Sequence, residues 1–199
     1  MLIDNYLKLP SCFITATDTD AGKTHVSCEI LQAWQQQGWS VAAYKPIASG
    51  AIWRDDKLVS EDALALAQVT GQSLSEINPY TFEAPASPHI ADKQQTFDLA
   101  ACIQHFRHLL QKYDRVLVEG VGGWCVPLSD DLMLKDLVKA LNLPIVMVAR
   151  IGLGCINHSL LTMEQIKRDT DLYHGWIANV IDKGFEDADA NIQAILDRS

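Results

Sequence analysis

The run Phe13-Ile14-Thr15-Ala16-Thr17-Asp18-Thr19-Asp20-Ala21-Gly22-Lys23-Thr24 is a short apolar strand that breaks into a small-residue loop ending in Gly-Lys-Thr. A helix must follow it, because Val26, Ile30, Leu31 and Trp34 recur on one helical face and Gly38 offers a stop. Strand, loop and helix in that order form a phosphate-binding loop. Backbone N–H groups converge on phosphate oxygens and the helix points its positive dipole end at them. Lys23 then reaches the β- and γ-phosphates and Thr24 ligates magnesium, so a nucleoside triphosphate is the expected ligand. The strict spacing of such loops puts a first glycine at position 17, where this chain has Thr17; the reading rests on the flanking strand and helix.

The rest of the chain fits that start. Apolar runs at 12–17, 40–46, 115–119, 144–149 and 175–181 read as strands, several of them continuous enough to be buried on both faces. Segments 24–37, 60–70, 97–112, 131–141, 156–169 and 186–197 read as helices. This alternation predicts an α/β fold, a doubly wound and mainly parallel sheet with helices on both faces, in one domain spanning 1–199. Ligands are expected at the carboxyl ends of the strands. Segments 50–58 and 71–95 read as loops, the second punctuated by Pro79, Pro85 and Pro88.

Composition narrows the partners. The 199 residues are 48% hydrophobic, enough for a sizeable core, and the formal net charge of −9 without any basic run argues against nucleic acid. Five cysteines without Cys-x-x-Cys spacing suit reduced thiols in a cytoplasmic protein. Met1–Pro10 lacks the pattern of a targeting segment, and no apolar run reaches membrane-spanning length.

Three further features carry chemistry. Val116-Leu117-Val118-Glu119-Gly120 is an apolar strand closing on a carboxylate; beside a phosphate loop, Glu119 is the first candidate to face the metal, although such a residue also serves as a cap or surface ion pair. Lys45 lies at another strand end and either stabilises a transferring phosphoryl group or stands solvated beside Pro46. Gly152 to His158 opens a helix and forms either a second anion site or an ordinary turn. His105 and His108, spaced i, i+3, read as a solvated helix face without a third ligand, and His25 as structural or exposed.

With these segments in place, the chain resembles the dethiobiotin synthetase family of P-loop NTPase-like enzymes. The resemblance runs through Thr17 to Thr24, Tyr44 to Gly50, Asp62-Ala63-Leu64, Asn78-Pro79-Tyr80, Ser87-Pro88-His89, Val118 to Trp124, Pro127-Leu128-Ser129, Leu153 to His158 and Gly175 to Asn179. It implies that carbon dioxide or bicarbonate and 7,8-diaminopelargonic acid are joined and cyclised to dethiobiotin at the expense of ATP with Mg2+. The intermediates implied are a carbamate and its phosphorylated form, a carbamic-phosphoric anhydride.

The same resemblance assigns roles. Asp20, Ala21, Gly22, Lys23, Thr24 and His25 hold the nucleotide and Asn179 reads its adenine. Thr24, Asp62 and Glu119 organise the metal. Lys45, Lys23 and Thr19 act in catalysis, while Thr19, Ser49 and the backbone near Gly122 position the diamine. Cys155, Ile156 and Asn157 bind the substrate carboxylate across a homodimer interface.

Two departures set expectations. Family members have glycine where this chain has Ala16, a costly change if the position requires positive φ. They also continue beyond the point where this chain stops, through a strand and loop near the purine, so weak base discrimination is expected. The competing readings are a MinD/ParA-like ATPase switch, against which the loop start Asp18-Thr19-Asp20 argues, and a non-catalytic nucleotide-binding module, against which Lys23, Lys45, Asp62 and Glu119 argue.

Overall fold

The computed structural model describes residues 8–199. The reading of Met1–Pro10 therefore falls mostly outside the described residues. Nine strands and eight helices follow in the order β1 (Cys12–Ala16), α1 (Lys23–Gln36), β2 (Val41–Tyr44), β3 (Ile47–Ser49), β4 (Ile52–Arg54), β5 (Lys57–Val59), α2 (Glu61–Thr70), α3 (Leu74–Ile77), β6 (Tyr80–Phe82), α4 (Pro88–Ala91), α5 (Leu99–Lys112), β7 (Arg115–Glu119), α6 (Leu134–Leu141), β8 (Ile145–Arg150), α7 (Cys155–Asp169), β9 (Tyr173–Asn179) and α8 (Ala188–Leu196) among the described residues.

The five strands expected from apolar runs form one sheet in the order β2-β7-β1-β8-β9, every neighbouring pair parallel. Strands β1, β2 and β7 are buried at every residue, which is why they read as continuous rather than alternating apolar runs. Their side chains still divide by period two. Cys12, Ile14 and Ala16 meet α1 and α2 through Ile30, Trp34 and Leu66 on one face. Phe13, Val116 and Val118 meet α5, α6 and α7 through Phe106, Leu137 and Ile166 on the other. Because β1 has β7 on one side and β8 on the other while the chain runs from β1 out to the edge strand β2, the order reverses beside β1. The crevice at such a reversal, over the strands' carboxyl ends, is where ligands bind in this architecture.

The segments read as loops contain structure. Residues 50–58 hold the antiparallel hairpin β4–β5, turned by Asp55 and Asp56, both at positive φ. Within 71–95 lie α3, whose Ser73 and Glu76 form a capping box, then β6, paired in parallel with β3, and α4. Elements of three or four residues are too short to show a period, and the β4–β5 hairpin exposes most of its side chains, so no apolar pattern marks it.

One histidine also departs from expectation. His105 Nε2 lies 2.7 Å from the Glu76 carbonyl and its ring packs against Tyr44, with centroids 5.1 Å apart; of the pair only His108 is exposed. No helix among the described residues is long and apolar enough to cross a membrane.

Trp34 anchors α1 to the sheet and is fully buried. Trp34→Ala should cost about 3–5 kcal/mol of stability through lost burial and the cavity left behind. Equilibrium urea unfolding checks this; a loss under 1 kcal/mol, on the order of a surface change, would contradict the packing described.

Candidate active site

The phosphate loop is built by the end of β1. Thr17 N continues the pairing with β8 by donating to the Val148 carbonyl at 3.0 Å, and Asp18 Oδ1 then accepts from Thr19 N at 2.7 Å. Left-handed backbone falls at Asp20 (φ 56°) and Gly22 (φ 87°), which turn the chain into α1. At Gly22 the left-handed φ favours glycine, and a Cβ there would also have to displace the side-chain amide of Asn179. That amide donates to the Ala21 carbonyl at 2.8 Å and ties the end of β9 to the loop. Ala16 is the last residue of β1 and has no positive φ, so its methyl is accommodated in extended backbone.

Helix α1 begins without a side-chain cap and without an acidic residue in its first turn. Its free N–H groups and dipole therefore face the cleft as an anion site. Lys23, only 7% exposed, donates from Nζ to the Gly122 carbonyl at 2.7 Å and to the Asp18 carbonyl at 3.2 Å. Burial, followed by repulsion from Lys45, lowers its pKa to about 8.

Behind the loop four side chains converge. The Lys45 ammonium stands 2.7 Å from Glu119 Oε1, 2.9 Å from Asp62 Oδ2 and 3.3 Å from the Gly120 carbonyl. Thr24 Oγ1 lies 2.7 Å from Asp62 Oδ1 and 2.9 Å from Glu119 Oε1, and its single proton serves one of them at a time. Lys45 and Glu119 are buried, whereas Asp62 exposes 47% of its side chain to the cleft. Burial alone would lower the Lys45 pKa, but Glu119 and Asp62 hold it above the ordinary lysine value. Burial likewise pushes Asp62 up, and Lys45 and Thr24 outweigh it and bring the carboxyl below its ordinary value.

Backbone contacts fix these groups. Lys45 N donates to the Ile77 carbonyl at 2.8 Å, and Asn78 Nδ2 donates to the Lys45 carbonyl at 2.8 Å. Asp62 sits in the first turn of α2, capped by Ser60, and Glu119 ends β7 in register with Ile14. Glu119 Oε2 is buried and without a partner, an oxygen aimed at nothing in the protein itself. Hard oxygens from Thr24, Asp62 and Glu119 are of the type that would hold a magnesium ion. Among the described residues no three His, Cys, Asp or Glu groups gather as a metal cluster.

The ATP-dependent dethiobiotin synthetase BioD of Yersinia pestis (strain Angola) is 45% identical over 173 residues, 85% of this chain and 72% of that protein. The chain belongs to the dethiobiotin synthetase family. The enzyme of the same name from Aromatoleum aromaticum is 40% identical over 190 residues, covering 94% of this chain and 84% of its own length. A family profile described as an AAA domain matches residues 11–199. Among solved structures, the ParA family ATPase of Chlorobium tepidum covers 95% of this chain and 82% of its own with TM-score 0.56 and 12% identity. The signal recognition particle 54 kDa protein of Aeropyrum pernix covers 94% of this chain and 39% of its own with TM-score 0.58 and 14% identity. Both show the shared P-loop fold.

For this member of the dethiobiotin synthetase family, a cleft of about 740 Å3 opens over the phosphate loop. It brings together Thr19, Asp20, Gly22, Lys23, Thr24, Lys45, Ser49, Asp62 and Gly122. Ser49 Oγ is buried without a partner, leaving a hydroxyl free for a polar ligand. The walls also include residues without a role in the sequence reading. Ser87 Oγ donates to the Pro127 carbonyl at 3.2 Å and joins the 85–88 wall to the 121–127 wall. Only its place in Ser87-Pro88-His89 had marked it.

Four expected residues lie apart. His25 is exposed and 3.4 Å from Glu29 on α1. Cys155, Ile156 and Asn157 open α7 outside the cleft; Cys155 is buried with Sγ 3.5 Å from Asn191 Oδ1, and Asn157 is exposed.

Because Lys23 is held at a pKa of about 8, its charged form carries a penalty that is present below that pH and lifts as pH rises toward 10.5. An oligophosphate anion replacing the Gly122 carbonyl restores the charge, so binding takes up a proton. At pH 8.5 the wild type should take up more proton on binding inorganic triphosphate than Lys23→Met does, a difference that falls toward zero by pH 6.5. Calorimetry of both proteins in buffers of different ionisation enthalpy measures this difference.

Proposed function

We propose that this protein makes dethiobiotin from 7,8-diaminopelargonic acid, carbon dioxide and ATP, as a step of biotin biosynthesis. The observation that carries the reading is the buried Lys45, held by Glu119 and Asp62 directly behind a phosphate loop, in a chain of the dethiobiotin synthetase family. The acid-oxygen set of Thr24, Asp62 and Glu119 supports Mg2+, which when bound supplies positive charge to the phosphate oxygens.

The chemistry divides into three steps. One amine of the substrate adds to carbon dioxide, forming a C–N bond and releasing a proton to give a carbamate. A carbamate oxygen then attacks the γ-phosphorus, the bond to the β-bridging oxygen breaks, and ADP leaves with that electron pair. The second amine attacks the carbamoyl carbon, inorganic phosphate leaves, and loss of the amine proton completes the ureido ring.

Each step gives the residues a task. Lys23 and the N–H groups of α1 bind the triphosphate. Lys45 neutralises the carbamate and the charge that spreads over the transferring phosphoryl oxygens, an interaction strongest in a buried site. Thr19, the free Ser49 hydroxyl and the backbone at Gly122 orient the diamine. Asn179 reads the adenine, and Cys155, Ile156 and Asn157 at the start of α7 receive the substrate carboxylate from a neighbouring subunit of a homodimer.

Incubation with diamine, bicarbonate, Mg2+ and ATP should yield dethiobiotin and ADP in equal amounts. ATP hydrolysis without dethiobiotin would sink this reading. Lys45→Gln should lower kcat by about a hundredfold while changing nucleotide affinity far less. Single-turnover phosphorylation measures the first, and calorimetric titration of ATP the second.

A further inference from the structure

The loop after β7 has two faces. One lines the cleft with Gly122, Gly123 and Cys125, and its Gly122 carbonyl accepts Lys23 Nζ at 2.7 Å. A Cβ at Gly123 would lie 3.4 Å from the Ala16 carbonyl, so the loop rests directly on the start of the phosphate loop. Between Gly123 and Cys125 the chain sends one side chain the other way: Trp124 is 3% exposed and packs in the core beneath the cleft.

That indole carries an N–H into the interior, where a donor without an acceptor is costly. It donates to Asp169 Oδ2 at 2.9 Å. Asp169 is the last residue of α7, the end of a helix where a negative charge is unfavourable. It stays there under three donors: Trp124, Gln165 Nε2 at 3.0 Å and Lys135 Nζ at 3.2 Å from α6. Burial raises its pKa, but these donors outweigh it and hold the carboxyl at about 2, so it accepts throughout the working pH range.

We propose that Asp169 is a positioning residue for the active site, acting through the Trp124 indole to hold Gly122 and Gly123 against the phosphate loop and so set the diamine's end of the cleft. The proposal rests on the dethiobiotin reading for its substrate but not for its geometry. Displacing reacting groups by about 1 Å costs on the order of a hundredfold in rate, so a loosened loop reads out directly in turnover.

The test separates the acceptor from the fold. Asp169→Ala should lower kcat/KM for the diamine by about tenfold or more, whereas Asp169→Asn, which keeps an oxygen acceptor, should stay within about twofold of wild type. Both variants lose the charge facing Lys135, so both should lower Tm; a purely structural role would make activity follow Tm in the two alike. Trp124→Phe should also reduce kcat/KM, and adding Asp169→Ala to it should cause no further loss. Wild-type kcat/KM in Asp169→Ala, an Asp169→Asn as defective as the alanine, or additive losses in the double variant would each overturn the proposal. Hydrogen exchange across residues 120–127 gives a readout free of turnover. It should quicken in Asp169→Ala and not in Asp169→Asn. Unchanged exchange in the alanine variant would overturn the positioning role, while absence of dethiobiotin from the wild type would overturn only the substrate reading.

Discussion

Everything at this site depends on the ion pair between Lys45 and Glu119, 2.7 Å apart and closed off from solvent. A lysine at 2% exposure is stable only because its charge is matched. Glu119 and Asp62 hold it protonated, and it in turn lets two carboxylates share one pocket without mutual repulsion. Such a pair contributes little to net stability over an apolar core of the same volume. Its consequence is positional: an ammonium and two carboxylates, each on an element fixed by backbone bonds, sit directly behind the phosphate loop.

The sheet supplies that fixing. Glu119 ends β7, Lys45 follows β2, and the phosphate loop follows β1, three adjacent parallel strands whose carboxyl ends lie side by side. Parallel pairing is what allows residues separated by 74 positions to meet at one level. The small pair β3–β6 and the helix α3 then close the back of Lys45, since Ile77 and Asn78 bond its peptide on both sides.

The main sheet and its long helices were legible because continuous apolar runs and 3.6-residue periods are local signals. Strands at 12–17 and 115–119 emerge within a residue of their observed limits. Lys45 and Glu119 were legible as strand-end candidates beside a phosphate loop and, through the family resemblance, as site residues. Their bond to each other, the buried free oxygen of Glu119 and the Ser87 link to Pro127 are long-range facts with no local trace. The β4–β5 hairpin escaped because its turn uses Asp55-Asp56 in left-handed conformation instead of a glycine, and its strands face water. His105 looked solvated because its partner is a backbone carbonyl on α3, invisible to side-chain spacing.

The phosphate loop shows where sequence templates and physical demands part. The template's glycine at 17 and the family's glycine at 16 mark the residues that leave the strand, yet in this chain neither Ala16 nor Thr17 takes positive φ. The left-handed turns fall later, at Asp20 and Gly22. Aspartate is among the few residues with a side chain that enter this region readily, and an exposed turn lets it do so without a steric conflict. At Gly22 a second constraint is added, because the Asn179 amide occupies the space a Cβ would need. The loop therefore tolerates methyl groups where its backbone is extended and favours glycine where the chain enters α1, which is the turn that exposes the helix's N–H groups to phosphate.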